Sequence, residues 1–233
     1  MFACIKKSQI ISIIIIIVLI ISSSVVIKTV SAKETETVPS IGITIVIDAG
    51  HGGIDPGGIG IKTKVKESEL NLDVAFKLAK NLKNIGINCI MTRTNSNGLY
   101  GIYTADYKKR DMQKRKEIID KANPDMVVSV HMNRYVRSSL RGAQVFYDKK
   151  SNISKKLAES IQHYFKTSLP ESTKGVSVGD YFMLKCTDSP SVIAECGFLS
   201  NEYDEALLIN DAYQEKVAYA IFCGIIEYLA LPY

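Results

Sequence analysis

The sequence predicts a single α/β domain with a mixed, mostly parallel central sheet and helices on both faces. From Gly42 onward, short apolar runs rich in β-branched residues alternate with segments of helical periodicity. This alternation is typical of strands joined by crossover helices. The same stretch holds no internal repeat and no second linker. One domain of about 190 residues is long enough to bury a substantial core without disulfides.

Strands are predicted wherever a short apolar run is bounded by turn residues. The run 126–130 is apolar at nearly every position, as expected for a strand that is buried on both faces. The predicted strands are 43–47, 88–91, 126–130, 143–147, 181–185 and 191–194.

Helices are predicted from apolar residues that recur every three or four positions. Leu70, Val74 and Leu78 show this spacing in the first helix. Pro124 and Pro170 follow the second and third helices, where a proline stops helical hydrogen bonding. The predicted helices are 69–84, 108–121, 153–169 and 211–229.

The N-terminus has the pattern of an export signal. Lys6 and Lys7 precede an almost unbroken apolar run, 10–21, and the small or β-branched residues of 30–32 form a cleavage site. This pattern predicts a signal peptide at 1–32, followed by a polar linker at 33–42 and a catalytic domain at 43–233.

The alternative for this leader is an uncleaved membrane anchor. The apolar stretch extends to Ile27, about 18 residues, which is the lower end of what spans a bilayer. Three serines interrupt the stretch, which favours cleavage. In either case the domain is exported and works outside the cytoplasm, and any membrane contact is through this segment alone.

Composition and charge exclude several classes of protein. With 46% hydrophobic and 23% charged residues among 233, the chain is not disordered, collagenous or a coiled coil. The net charge of +5 comes mostly from the leader, because the rest carries 26 basic against 24 acidic residues, a net +2. We therefore expect no nucleic-acid partner.

The four cysteines beyond the leader are predicted to be small buried hydrophobes, because their neighbours are apolar. None forms a C-x-x-C pair, so a cysteine zinc site is not expected. A Cys186–Cys196 disulfide is the less favoured alternative. The four are Cys89, Cys186, Cys196 and Cys223.

Polar residues that can carry chemistry follow three of the predicted strands. His51 follows the first strand, His131 follows the strand 126–130, and Glu195 ends the last strand. Glu67 stands at the start of the first helix. Because the carboxyl ends of parallel strands line one crevice, we expect these four residues to converge.

Two histidines and one carboxylate form a sound zinc set that leaves a position for water. A further carboxylate is then needed as general base, and Glu195 is the candidate. Asp48 is interpreted as a residue that orients a ligand or caps the glycine turn, and Asp55 is a competing acid. Glu69 is the alternative to Glu67, with a helix-dipole role as its structural explanation.

Each of these features also has a structural explanation. His51 could be a loop residue and His131 a hydrogen-bonded core histidine, whereas His163 lies in a helical pattern and is expected on the helix surface. The glycine loop 50–53 could cradle phosphate. It lacks the Lys-Ser/Thr of a P-loop, so nucleotide binding ranks below metal binding.

Four ordered motifs, taken together, resemble the zinc-dependent N-acetylmuramoyl-L-alanine amidases of the amidase-3 group. They are IDAGHGGIDPG (47–57), ESELNL (67–72), SVHMN (129–133) and ECGFLSN (195–201). The resemblance extends from about residue 45 to 229. It implies Zn²⁺ held by His51, Glu67 and His131, with Glu195 activating the water. It also implies cleavage of the amide between N-acetylmuramic acid and L-alanine in peptidoglycan.

The segment 93–115 also looks like the spore-cortex amidases of endospore formers. This similarity implies removal of stem peptides so that a partner deacetylase can form muramic-δ-lactam, which germination enzymes later recognise. The sequence shows no wall-binding repeat, so an accessory secreted protein or lipoprotein is expected to localise the enzyme. The alternatives are a zinc peptidase that cuts within the stem peptide and a non-catalytic wall-binding module.

Overall fold

The computed structural model describes residues 39–230. The predicted signal peptide, with its alternative as an anchor, and most of the predicted linker lie outside the described residues. Within 39–230, no helix is both long and apolar enough to cross a membrane. The described residues belong to one compact unit.

Six strands form one sheet in the order β2-β1-β3-β6-β4-β5. All neighbouring pairs are parallel except β4 and β6, which are antiparallel. The predicted mixed, mostly parallel sheet is therefore confirmed. The strands are β1 (Thr44–Ala49), β2 (Asn88–Met91), β3 (Met126–Asn133), β4 (Gln144–Tyr147), β5 (Ser177–Val178) and β6 (Ser191–Phe198).

Helices cover both faces of the sheet, as predicted. They are α1 (Glu67–Lys83), α2 (Tyr107–Ala122), α3 (Asn152–Ser168), α4 (Glu202–Leu208) and α5 (Asp211–Ala230). The larger core lies between one face and α1, α3 and α5, and the smaller core lies under α2. In β1 the side chains alternate between them, since Ile45 and Ile47 join the larger core and Val46 the smaller.

The prediction of a strand at 181–185 is wrong. Residues Phe182–Leu184 form a single 3-10 turn. Met183 and Leu184 pack into the smaller core beneath α2, and the Met183 carbonyl accepts a hydrogen bond from the Ser191 hydroxyl. The apolar residues therefore serve packing on the face of the sheet rather than pairing at its edge.

Two short elements escaped the sequence prediction. Strand β5 has only two residues and pairs with β4, which is too short for a periodic signal. Helix α4 has a cap that was readable in the sequence: the Asn201 side chain accepts hydrogen bonds from the Tyr203 and Asp204 amides.

The structural interpretations of the cysteines and of His163 are confirmed. Cys89, Cys186 and Cys196 are buried free thiols, and Cys223 is a partly buried one, so the alternative disulfide is wrong. His163 is exposed on α3.

Candidate metal centre

The fold brings the four predicted site residues to one edge of the sheet. His51 follows β1, and Glu67 is the first residue of α1. His131 and Glu195 lie within β3 and β6 and are register partners, because both strands run several residues beyond their predicted ends. In a parallel pair, register partners point to the same side of the sheet, so these two side chains lie beside each other.

His51, Glu67 and His131 form a group that is able to hold a metal ion, since one ligand atom from each lies within 4.8 Å of the others. Glu67 Oε1 is 3.2 Å from His51 Nε2 and 2.9 Å from His131 Nδ1. Glu69, the alternative carboxylate, is exposed and lies 3.4 Å from the Lys66 ammonium instead. The structure therefore places Glu67, and not Glu69, with the histidines.

Two glycines leave the space that this group occupies. A Cβ added to Gly50 would lie 2.2 Å from His131 Cε1, and one added to Gly57 would lie 2.5 Å from Glu67 Oε2. Gly57 also has a φ of +67°, which favours glycine. Gly50 and Gly57 are therefore explained by the His131 and Glu67 side chains that they accommodate.

Hydrogen bonds fix the Glu67 carboxylate. Oε2 accepts from the Gly58 amide at 2.6 Å, and Oε1 accepts from the Met132 amide at 3.2 Å and from Asn71 Nδ2 at 3.3 Å. Burial opposes ionisation of Glu67, but the hydrogen bonds and charges of His131 and His51 hold its pKa well below the usual range. Glu67 is therefore held as an anion in a preset orientation, as a metal ligand would need.

Asp55 orients His51, since its Oδ2 lies 3.0 Å from His51 Nδ1 and leaves Nε2 to face Glu67. His51 itself has a φ of +61°, a strained conformation for a residue with a Cβ. Burial lowers the pKa of His51, but Asp55 and Glu67 outweigh burial and raise it to about 10. A metal ion must therefore displace a proton from this ring.

Asp48, which the sequence suggested as a residue that orients a ligand or caps the glycine turn, instead holds Arg115. Its Oδ1 lies 2.5 Å from Arg115 Nη1 and accepts from the Thr92 hydroxyl at 2.7 Å, and its Oδ2 accepts from Ser129. Burial would raise the pKa of Asp48, but Arg115 and these hydroxyls lower it to about 2. The ion pair is fully buried.

Sequence reasoning missed two buried arginines beneath the His51 loop. Arg115 donates to the carbonyls of Ala49 and His51 at 2.8 and 2.7 Å. Arg93 donates to the carbonyls of Ala49 and Gly50, both at 2.9 Å. A weak signal was available, since Asp111, Arg115 and Ile119 recur every four residues on α2 and share its buried face.

Glu195 lies at the base of the cleft, and the environment of its carboxyl group is unusual. Its Oε2 is buried and has no hydrogen-bond partner among the described residues. Burial is the main cause that raises the pKa of Glu195 to about 7, with the charge of Glu67 adding to it and those of His131 and His51 opposing it. A carboxyl that titrates near neutral pH is suited to accept and return a proton.

The site opens into a cleft of about 440 Å³, the size of a small-ligand pocket. The 3-10 turn supplies one wall through Tyr181 and Phe182, and helix α2 supplies Tyr107 and Lys108. Arg134, directly after β3, also lines the cleft. The metal group and Glu195 therefore face a groove with aromatic and cationic sides.

Comparison with known proteins identifies the class to which this fold and site belong. The model of the N-acetylmuramoyl-L-alanine amidase family, Amidase_3, matches residues 45–227. The chain belongs to this family, which confirms the resemblance seen in the motifs.

The similar proteins include a germination-specific amidase and an amidase solved with a lipoprotein. The germination-specific N-acetylmuramoyl-L-alanine amidase of Bacillus subtilis is 33% identical over 82% of this chain and 82% of its own length. The CwlD amidase from Clostridioides difficile, solved in complex with the GerS lipoprotein, is 38% identical with a TM-score of 0.78, covering 82% of this chain and all of that one.

A further solved relative is the catalytic domain of CwlV, an N-acetylmuramoyl-L-alanine amidase from Bacillus (Paenibacillus) polymyxa var. colistinus. It is 29% identical with a TM-score of 0.71, covering 82% of this chain and 99% of that one. The predicted single α/β domain is the fold of these amidases.

Proposed function

We propose that the protein hydrolyses the amide bond between the lactyl group of N-acetylmuramic acid and the L-alanine of the stem peptide. One observation carries the proposal: in a chain of the amidase family, a His-Glu-His group able to hold a metal lies beside a buried carboxyl without a partner. A non-catalytic wall-binding module would have no use for this combination.

The metal is proposed to be Zn²⁺, held by His51, Glu67 and His131. Two imidazole nitrogens and one carboxylate oxygen suit zinc and leave a coordination position open. The clearance at Gly50 and the backbone hydrogen bonds to Glu67 support a preset site. A zinc ion held there supplies a Lewis acid that polarises the amide carbonyl and activates water.

Glu195 is proposed to move the proton. As a carboxylate it takes a proton from the water that attacks the carbonyl carbon, which forms the new C–O bond. It then returns that proton to the alanine nitrogen as the C–N bond breaks, so the products are a free carboxylic acid and a free amine. A pKa of about 7 suits both the acceptance and the return.

The proposed biological role is spore-cortex maturation, with formation of muramic-δ-lactam and a function in germination. It is supported by the names of the Bacillus subtilis and Clostridioides difficile relatives and by the segment 93–115. Residues 1–32 are proposed to direct export of the catalytic domain 43–233, which then acts at the wall or in the forespore intermembrane space. An accessory lipoprotein is the proposed partner, by analogy with the solved complex.

Mass spectrometry of the products of purified peptidoglycan tests the bond that is cut. The proposal predicts intact stem peptides with a free L-alanine amino terminus, and zinc in the purified protein. Release of shorter peptide fragments that do not begin with L-alanine would indicate a peptidase that cuts within the stem peptide. No release at all, with or without added zinc, would favour a wall-binding module.

A further inference from the structure

Arg134 is a cation of the cleft without an internal partner. It is exposed, it lines the cleft, and its side chain forms no hydrogen bond or ion pair with any of residues 39–230. Arg115, which also lines the cleft, is by contrast neutralised by Asp48 and Asp111. Arg134 therefore adds an unmatched positive charge to the substrate groove.

The position of Arg134 relative to the metal group is well defined. A Cβ added to Gly58 would lie 3.1 Å from Arg134 Cβ, 3.3 Å from Arg134 Cδ and 3.3 Å from Glu67 Oε2. The Arg134 stem thus packs against Gly58, and Gly58 separates it from Glu67. Because the Gly58 amide already donates to Glu67 Oε2 at 2.6 Å, that carboxylate is engaged elsewhere and Arg134 is left free.

A third cationic side chain that lines the cleft, Lys108, also differs from Arg134. Lys108 comes from α2, on the opposite face of the sheet from α1. Its positive charge helps to lower the pKa of Asp55, although the hydrogen bond from His51 is the main cause. The charge of Lys108 therefore acts on Asp55, which contacts His51. Arg134 lies near Glu67 instead and has no charged partner among the described residues.

We propose that Arg134 is a substrate-anchoring residue that binds a free carboxylate of the stem peptide, one residue beyond the scissile amide. This inference rests on the proposed function. The stem peptide carries a D-glutamate after L-alanine, linked through its γ-carboxyl, so the α-carboxylate of that residue is free. A peptide advances about 3.5 Å per residue. Because only Gly58 separates the Arg134 stem from Glu67, Arg134 is well placed to reach this α-carboxylate. A guanidinium also matches a carboxylate with two parallel hydrogen bonds.

The test uses two soluble disaccharide–stem-peptide substrates that differ only at this α-carboxylate, which is free in one and amidated in the other. For the wild-type protein, kcat/KM should be higher on the free acid. For Arg134→Gln it should fall about 10- to 100-fold on the free acid, the value expected for a charged hydrogen bond, and change little on the amide. Arg134→Lys should give an intermediate value on the free acid.

Arg137→Gln is the matched control, because Arg137 is an exposed arginine of the same segment that does not line the cleft. It should leave both substrates unaffected. Equal loss on both substrates for Arg134→Gln would overturn the inference, since it would show an effect through Glu67 or the metal. Equal cleavage of both substrates by the wild type would also overturn it and leave the amidase proposal standing. Cleavage of neither by the wild type would overturn both.

Discussion

Arg115 Nη2 lies 2.7 Å from the carbonyl oxygen of His51, although 64 positions separate the two residues. The same guanidinium pairs with Asp48 and Asp111 and is fully buried. Helix α2 therefore fixes the backbone of a candidate metal ligand, and the strained His51 conformation is maintained by a buried charged network of Arg115, Asp48 and Asp111.

Arg115→Met should lower the free energy of unfolding by about 3–5 kcal/mol, because it leaves Asp48 and Asp111 buried without their counter-charge. Denaturant unfolding measures this loss. The matched control is Lys114→Met on the same helix, whose ion pair with Glu117 is about half exposed on both sides and should contribute at most about 1 kcal/mol. Similar values for the two variants would contradict the account of the network.

Gly50→Ala should displace the His131 ring, because the new Cβ would lie 2.2 Å from its Cε1. The expected result is loss of bound zinc and of activity together, read by metal analysis of the purified variant. Gly175→Ala is the control, since an added Cβ there meets no atom within 4 Å. Retention of zinc by Gly50→Ala would show that His131 does not need its observed position.

Zinc affinity should rise with pH across the neutral range. The metal-free protein holds His51 protonated, with a pKa raised to about 10 by Asp55 and Glu67, so each bound zinc must release this proton. The apparent affinity should therefore increase about tenfold per pH unit for the one proton released. Calorimetric titration in buffers of different ionisation enthalpy measures the released proton directly.

The exposed His163 provides the control for this titration. His163→Gln should leave the pH dependence unchanged, because this ring lies on the surface of α3 away from the metal group. An affinity that stays flat between pH 6 and 8 in the wild type would show that His51 is already neutral before the metal binds.

The convergence of the candidate site residues could be predicted from sequence because they stand in local motifs beside strands. His51, His131 and Glu195 each lie next to or within a β-branched apolar run, so the parallel sheet alone predicts that they converge. Glu67 and Glu69 could not be separated by sequence. Only the start of α1 at Glu67 decides which carboxylate turns inward.

The supporting residues could not be predicted in the same way. Arg115 stands in a strongly charged segment, KKRDMQKR (108–115), where an arginine is most often solvated. Its burial depends on the packing of α2 against β1, which the four-residue recurrence of Asp111, Arg115 and Ile119 indicates only weakly. Sequence likewise did not show that Asp55 would contact His51 while Asp48 would pair with Arg115, because the turn between them determines which carboxylate reaches His51.

Zinc content and amidase turnover of the wild type and Glu195→Gln, purified side by side, test the central claim most directly. The substitution keeps the shape of the side chain and removes the proton acceptor. We predict about one zinc per chain in both proteins and a loss of turnover of about 10²- to 10⁴-fold in the variant. Full turnover by Glu195→Gln, or a wild-type protein that is active without bound metal, would contradict the account.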